Sequence, residues 1–74
     1  MKTVIIFYNS NGNRKLALIL NSDQLLSNMT ETTSKFINDV CKRNNYTFGC
    51  INLTDEEQSK KLKNIPIIRI DDIN

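Results

Sequence analysis

The sequence predicts an α+β fold: a two-layer sandwich in the order β-β-α-β-α-β, with about four strands and two helices on one face of the sheet. Three observations predict it. Two β-rich runs flank an Asn-Gly turn near the start, an apolar pattern with a helical period occupies the middle, and a polar helix with a cap lies between two later β-rich runs. A chain of 74 residues is expected to form a single domain, residues 1–74.

The first two strands are predicted to form a hairpin. Residues Thr3–Tyr8 are mostly β-branched or aromatic, and Leu16–Leu20 is a second apolar run. Between them lies Asn11-Gly12, a pair in which both residues accept positive φ, so that the chain can reverse tightly. Leu and Ala favour helix more than strand, which makes the second arm the weaker of the two strand predictions.

The middle of the chain is predicted to be an amphipathic helix over Glu31–Arg43. Asn44-Asn45 is expected to end it, and basic residues in its last turn suit the negative end of the helix dipole. An alternative is one long helix that starts near Asp23, so the sequence leaves 21–29 open between helix and loop. The predicted inward face of the helix consists of Thr33, Phe36, Ile37, Val40, Cys41 and Asn44.

The C-terminal half is predicted to be strand, helix, strand. Tyr46–Leu53 alternates, with Tyr46, Phe48 and Cys50 on one face and Ile51 and Leu53 on the other. Thr54 and Glu57 have the spacing of a capping box for a polar helix, Asp55–Lys63, whose only inward residue is Leu62. The last strand is Ile65–Ile70, and Pro66 near its start favours an edge position because proline cannot donate to a strand ladder.

This half resembles part of the thioredoxin and glutaredoxin fold. The resemblance covers about a third of the chain and rests on the strand, the capped helix and the following Ile65-Pro66 pair. In that family an apolar residue and a cis proline open the strand beside the active site, but most X–Pro bonds are trans, so the sequence leaves the isomer of the Ile65–Pro66 bond open. The family's Cys-x-x-Cys is replaced by Tyr8-Asn9-Ser10-Asn11, and the closing hairpin and helix are missing, so redox catalysis is not expected.

The first hairpin has apolar side chains on both faces. Val4 and Ile6 alternate with Ile5 and Phe7, whereas a sheet covered on one face should alternate apolar and polar residues. Three explanations are open: helices on opposite faces, a second copy of the chain, or a different protein. We expect a homodimer through this sheet, because domains below about 70–80 residues usually need a disulfide, a metal or self-association.

The composition argues against an enzyme. The chain has no His and no Trp, and its two cysteines are too far apart for a Cys-x-x-Cys pair. We therefore expect no catalytic site, no metal and no cofactor. Cys41 and Cys50 are predicted to be small buried hydrophobic residues. The short first apolar run lacks the features of a signal peptide, and no run is long enough to span a membrane, so a cytoplasmic location is expected.

The function predicted from these features is that of a small interaction protein that binds and modulates, or inhibits, a larger protein. The richness in Asn, Ile and Lys suggests an AT-rich genome, which would suit a phage or mobile-element accessory factor acting against host defence. A nucleic-acid-binding regulator that uses Lys and Arg clusters is the alternative, although the net charge is only +2. The predicted partner contacts are Tyr8, Asn11, Arg14, Lys15, Lys60 and Lys61.

Overall fold

A computed structural model of the chain describes residues 2–20 and 31–69. They form a four-stranded sheet and two helices in the predicted order, which confirms the α+β class. The undecided stretch 21–29, and with it the alternative of a longer helix starting near Asp23, lies outside the described residues. The elements are β1 Lys2–Tyr8, β2 Arg14–Ile19, α1 Glu31–Asn44, β3 Thr47–Leu53, α2 Asp55–Lys61 and β4 Ile67–Arg69.

The strands form one mixed sheet in the order β3-β1-β2-β4. β1 pairs antiparallel with both β2 and β3, while β2 pairs parallel with β4. Three strands therefore run in one direction, and β1 runs against them. The edge position predicted for the strand after Pro66 is confirmed, since β4 has β2 as its neighbour and the Pro66 carbonyl accepts from the Ala17 N–H at 3.0 Å.

The hairpin is confirmed, but its turn differs from the expectation that both residues of the Asn-Gly pair adopt positive φ. Of the two, only Gly12 does so, at 81°. The Gly12 N–H donates to the Asn9 carbonyl at 3.0 Å, and the Asn9 N–H donates to the Asn13 carbonyl at 3.0 Å. The Asn9 side-chain oxygen also accepts from the backbone N–H groups of Asn11 and Asn13, at 3.0 and 2.9 Å. The Asn9 amide thus organises a longer loop.

Each face of the sheet carries its own apolar cluster. The α1 cluster consists of buried Ile5, Phe7, Leu18, Leu20 and Ile37. The α2 cluster consists of buried Val4, Ile6, Ala17, Ile19, Leu53 and Leu62. Ile37 belongs to α1 and Leu62 directly follows α2, so the two helices lie on opposite faces of the sheet. The expectation that both helices cover one face is wrong, and the first of the three explanations holds: both faces of the hairpin are buried within one chain.

The strand order explains why the helices take opposite faces. The connection that contains α1 leads from β2 across β1 to the edge strand β3, and the connection that contains α2 leads from β3 back across the sheet to β4. Crossover connections between parallel strands are right-handed in almost all proteins. Two right-handed crossovers that run in opposite directions place their helices on opposite faces.

The end of α1 is fixed by a left-handed residue. Asn45 has φ 57°, and the N–H of Tyr46 donates to the carbonyl of Cys41 at 3.0 Å. This is the hydrogen bond of a Schellman motif, in which asparagine can replace the usual glycine. The predicted termination at Asn44-Asn45 is confirmed.

The start of α2 has the predicted capping box. Thr54 Oγ1 accepts from the Glu57 N–H at 3.1 Å, and the Thr54 N–H donates to Glu57 Oε1 at 3.0 Å. The helix ends at Lys61 instead of Lys63, with Leu62 as its C-cap residue. Leu62 is buried, as predicted, because it points into the α2 cluster.

The last strand starts at Ile67, two residues later than predicted, and is described as far as Arg69, while its predicted end at residue 70 lies outside the described residues. Asn64 precedes it with φ 67° and lets the chain turn out of α2. The Ile65–Pro66 peptide, whose isomer the sequence leaves open, is trans, unlike the cis proline of the thioredoxin fold.

Candidate partner-binding surface

Arg14 joins the start of β2 to the end of α2. Its Nη1 donates to the carbonyl of Lys61 at 3.0 Å, across 47 residues of sequence. The last carbonyls of a helix have no partner within the helix, and a cation there also suits the negative end of the dipole. Arg14 therefore holds the base of the hairpin loop against the C-terminal end of α2.

Five exposed cationic residues lie on the two segments that this hydrogen bond joins. We call them the basic corner: Arg14, Lys15, Lys60, Lys61 and Lys63. Lys60 lies 3.4 Å from Glu56, but both side chains are highly exposed, at 75% and 81%, and such pairs contribute little. The described helix α2 carries three carboxylates, Asp55, Glu56 and Glu57, fewer than the five cations of the basic corner.

Glu57 is one of the three carboxylates in the first turn of α2. Hydrogen bonds from the Thr54 backbone, and then from its side chain, lower the pKa of Glu57 below its ordinary value, and the charge of Lys61 acts in the same direction. Glu57 is therefore ionised at neutral pH, and its charge serves the helix cap.

The six predicted contact residues differ in position and exposure. Arg14, Lys15, Lys60 and Lys61 lie on the joined segments of the basic corner, and Asn11 is exposed in the neighbouring loop. Tyr8 is half-buried against the α2 cluster. Its ring lies over Gly49, where an added Cβ would be 3.6 Å from Tyr8 Cε2. Tyr8 therefore serves packing at β1 and β3, and it is less accessible to a partner than the other five residues.

The hairpin face on which we expected a second copy to pack is not exposed. Val4, Ile6, Ala17 and Ile19 are all buried by the chain itself. Among residues 2–20 and 31–69, the large apolar side chains that remain exposed lie on the two edge strands: Phe48 at 41%, Ile51 at 37% and Ile67 at 44%. The homodimer itself stays a prediction, but it requires a different surface.

The β3 edge is a surface that the sequence reasoning missed. The alternation predicted for this strand is confirmed: Phe48 and Cys50 pair with α1-cluster residues of β1, while Ile51 pairs with Val4 of the α2 cluster. Alternation alone does not reveal an edge. The signal in the sequence was that all residues of Thr47–Leu53 are uncharged.

The two cysteines are free thiols in different environments. Cys41 is half-buried on α1, whereas Cys50 is exposed, contrary to the expectation that it is buried, because β3 lies at an edge. Desolvation raises the pKa of both thiols, so each is protonated at neutral pH. In the part of the chain that the structure describes, no group of His, Cys, Asp and Glu residues could hold a metal ion.

Comparison with known proteins adds no family to this description: no family model matches the chain, and no curated protein or solved structure matches it significantly. Among the described helices, none is both long and apolar enough to cross a bilayer.

Proposed function

We propose that this protein is a small non-enzymatic interaction protein that binds and modulates a larger protein through the basic corner. The observation that supports it is the 3.0 Å hydrogen bond from Arg14 to the Lys61 carbonyl, which holds two groups of cations on one surface. Ammonium and guanidinium groups pair with carboxylates, and charge complementarity speeds and selects encounters. The partner we propose is therefore a protein with an acidic surface.

A role without catalysis is supported by the side chains themselves. The sequence contains no His, the residue that most often transfers protons at neutral pH. Burial raises the pKa of the Cys41 and Cys50 thiols, which keeps them in the less nucleophilic form. An inhibitor or accessory factor, such as a phage or mobile element would encode, needs neither group.

Nucleic acid is the second candidate partner, because phosphates bind the same cations. Proteins that bind single strands also stack bases on exposed aromatic side chains. The two tyrosines are poorly placed for this: Tyr8 packs against the α2 cluster, and Tyr46 packs against the α1 cluster. The basic corner thus offers charge without an aromatic platform, which favours an acidic protein.

Photo-crosslinking from the hairpin loop tests this proposal. A photoreactive amino acid is placed at exposed Asn11, and at exposed Asn38 on α1 as the matched control, in cells of the source organism. We expect a discrete protein adduct from position 11 that survives nuclease treatment and is absent from position 38. An adduct that nuclease removes would support the nucleic-acid alternative. Equal labelling from both positions, or none from position 11, would contradict a partner at the basic corner.

Charge reversal then tests the cations. The variant Lys15→Glu/Lys63→Glu should lose the adduct, whereas Lys35→Glu/Lys42→Glu, with the same change in charge on α1, should keep it. Arg14 is left intact because its hydrogen bond to Lys61 is structural. Circular dichroism checks that each variant is folded. An adduct that persists in the first variant would show that the basic corner is not the contact surface.

A further inference from the structure

The two edges of the sheet are protected unequally. β4 follows a proline and carries the charged residue Arg69, and these are features that block further strand pairing. β3 has seven residues, no proline and no charged side chain, and its pairing with β1 is regular along its whole length. Of the described strands only β1 pairs with β3, so no described strand lies beside the outer edge of β3, and the residues of β3 are mostly exposed.

We propose that the outer edge of β3 binds the same edge of a second copy, antiparallel, about a two-fold axis at Cys50. The two four-stranded sheets then form one continuous sheet of eight strands. The proposal is independent of the proposed function, because it concerns β3 and the purified chain alone.

Side chains along β3 fit this self-pairing. With Cys50 at the axis, Cys50 faces its own copy and Ile51 lies opposite Gly49 of the second copy. The two Ile51 side chains become diagonal neighbours on the α2 face, within reach of each other. Because Thr47–Leu53 has no charged residue, the pairing opposes no like charges.

The charges that flank β3 favour the antiparallel direction. Lys42 and Arg43 lie in the last turn of α1, shortly before β3 begins, and Asp55 and Glu56 open α2 directly after β3 ends. An antiparallel pair brings the start of one β3 beside the end of the other. The basic residues of each copy therefore lie at the same end of the paired strands as the acidic residues of its neighbour, on the opposite face of the sheet, so the attraction is long-range and not a direct ion pair.

A change of charge at the axis tests the interface. Sedimentation of the purified chain over a dilution series should show reversible assembly from 8.5 kDa to twice that mass. Cys50→Lys places like charges opposite each other and should weaken self-association by about tenfold or more. Asn38→Lys, which adds the same charge on an exposed part of α1, should not change it. A monomeric wild-type chain, or a dimer that Cys50→Lys leaves intact, would overturn the proposal.

Mixing two variants separates a broken interface from a misfolded chain. Cys50→Lys and Cys50→Glu should each self-associate more weakly than the wild-type chain, and an equal mixture should form a heterodimer more readily than either variant forms a homodimer, because the charges at the axis are then opposite. Failure of the mixture to assemble, when the wild-type chain is dimeric, would place the axis away from Cys50.

Oxidative crosslinking tests the register directly. In a Cys41→Ser variant, Cys50 is the remaining thiol, and residues directly opposite across antiparallel strands approach closely enough for a disulfide. With copper phenanthroline and dioxygen as the oxidant, the two thiols each lose a proton and an electron as the S–S bond forms. We expect rapid formation of a covalent dimer that is blocked in Cys50→Ser/Cys41→Ser. A dimer in sedimentation that fails to crosslink through Cys50 would contradict the register.

Discussion

At the scale of single residues, Thr54 and Glu57 form a reciprocal unit. Each satisfies a backbone N–H at the start of α2 through its side-chain oxygen, at 3.1 and 3.0 Å. These hydrogen bonds also hold the pKa of Glu57 below its ordinary value of 4.5. A carboxylate with a lowered pKa in the folded state adds stability above its unfolded pKa, and this contribution is lost as the pH falls through the folded pKa.

Replacing the cap should weaken α2 and release Glu57. Thr54→Ala is expected to lower the free energy of unfolding by about 0.5–2 kcal/mol, the usual cost of losing a threonine cap. The pKa of Glu57, measured by NMR titration, should rise toward its ordinary value. Thr54→Ser keeps the hydroxyl acceptor and should behave like the wild-type chain. A Glu57 titration that is the same in all three proteins would contradict the reciprocal cap.

At the scale of secondary-structure elements, α2 is attached to the sheet by one buried side chain. None of its own residues, Asp55–Lys61, is buried, and Leu62 alone from this segment enters the α2 cluster. The helix therefore depends on its cap, on the Arg14 hydrogen bond and on Leu62 for its position over the second face.

Truncating Leu62 should expose that face. Leu62→Ala is expected to cost about 2–5 kcal/mol, the range for removing a buried leucine side chain. The exposed neighbour Lys63 provides the control, since Lys63→Ala should leave the denaturation midpoint nearly unchanged. Chemical denaturation followed by circular dichroism measures both. Equal midpoints for the two variants would mean that α2 does not cover the second face.

Several elements could be predicted from the sequence because their causes are local. The hairpin loop, the helical period around Ile37 and the capping box at Thr54 depend on residues within a few positions of each other. The strand order could not be predicted this way, because it is set by pairing between distant segments. For that reason the sequence indicated that apolar side chains on both faces, such as Ile5 and Ile6, must be buried. It did not indicate whether helices of the same chain or another molecule would bury them.

The candidate surfaces also combine features with local causes, which could be predicted, and features set by contacts between distant segments, which could not. The sequence identifies Arg14 and Lys15 as basic residues at the hairpin. Their position next to the end of α2 depends on the hydrogen bond from Arg14 to the Lys61 carbonyl, which spans 47 residues of sequence and could not be predicted. Cys50 was expected to be buried because it lies in an apolar strand. Its exposure follows from the edge position of β3, which is a property of the whole sheet.

At the scale of the whole molecule, both apolar clusters share the same two strands, so the domain should unfold as one unit. The two tyrosines report on opposite faces, since Tyr8 packs against the α2 cluster and Tyr46 against the α1 cluster. Because the chain contains no Trp, whose emission would dominate, its intrinsic fluorescence comes from the two tyrosines.

Single-tyrosine variants can test this cooperativity. In Tyr8→Phe the fluorescence comes from the α1 side, and in Tyr46→Phe it comes from the α2 side. Within each variant, the urea midpoint from fluorescence should equal the midpoint from far-ultraviolet circular dichroism. Separate midpoints in either variant would show that one face opens before the other.

The central place of β1 sets the pattern of amide hydrogen exchange. β1 has a strand on each side and lies beneath a cluster on each face, so its backbone hydrogens meet solvent only when the whole domain opens. The backbone N–H groups on the outer edges of β3 and β4 can exchange with solvent without global unfolding. The amide hydrogens of β1, Lys2–Tyr8, should therefore exchange most slowly of all, and their exchange rates measure the free energy of unfolding of the entire fold.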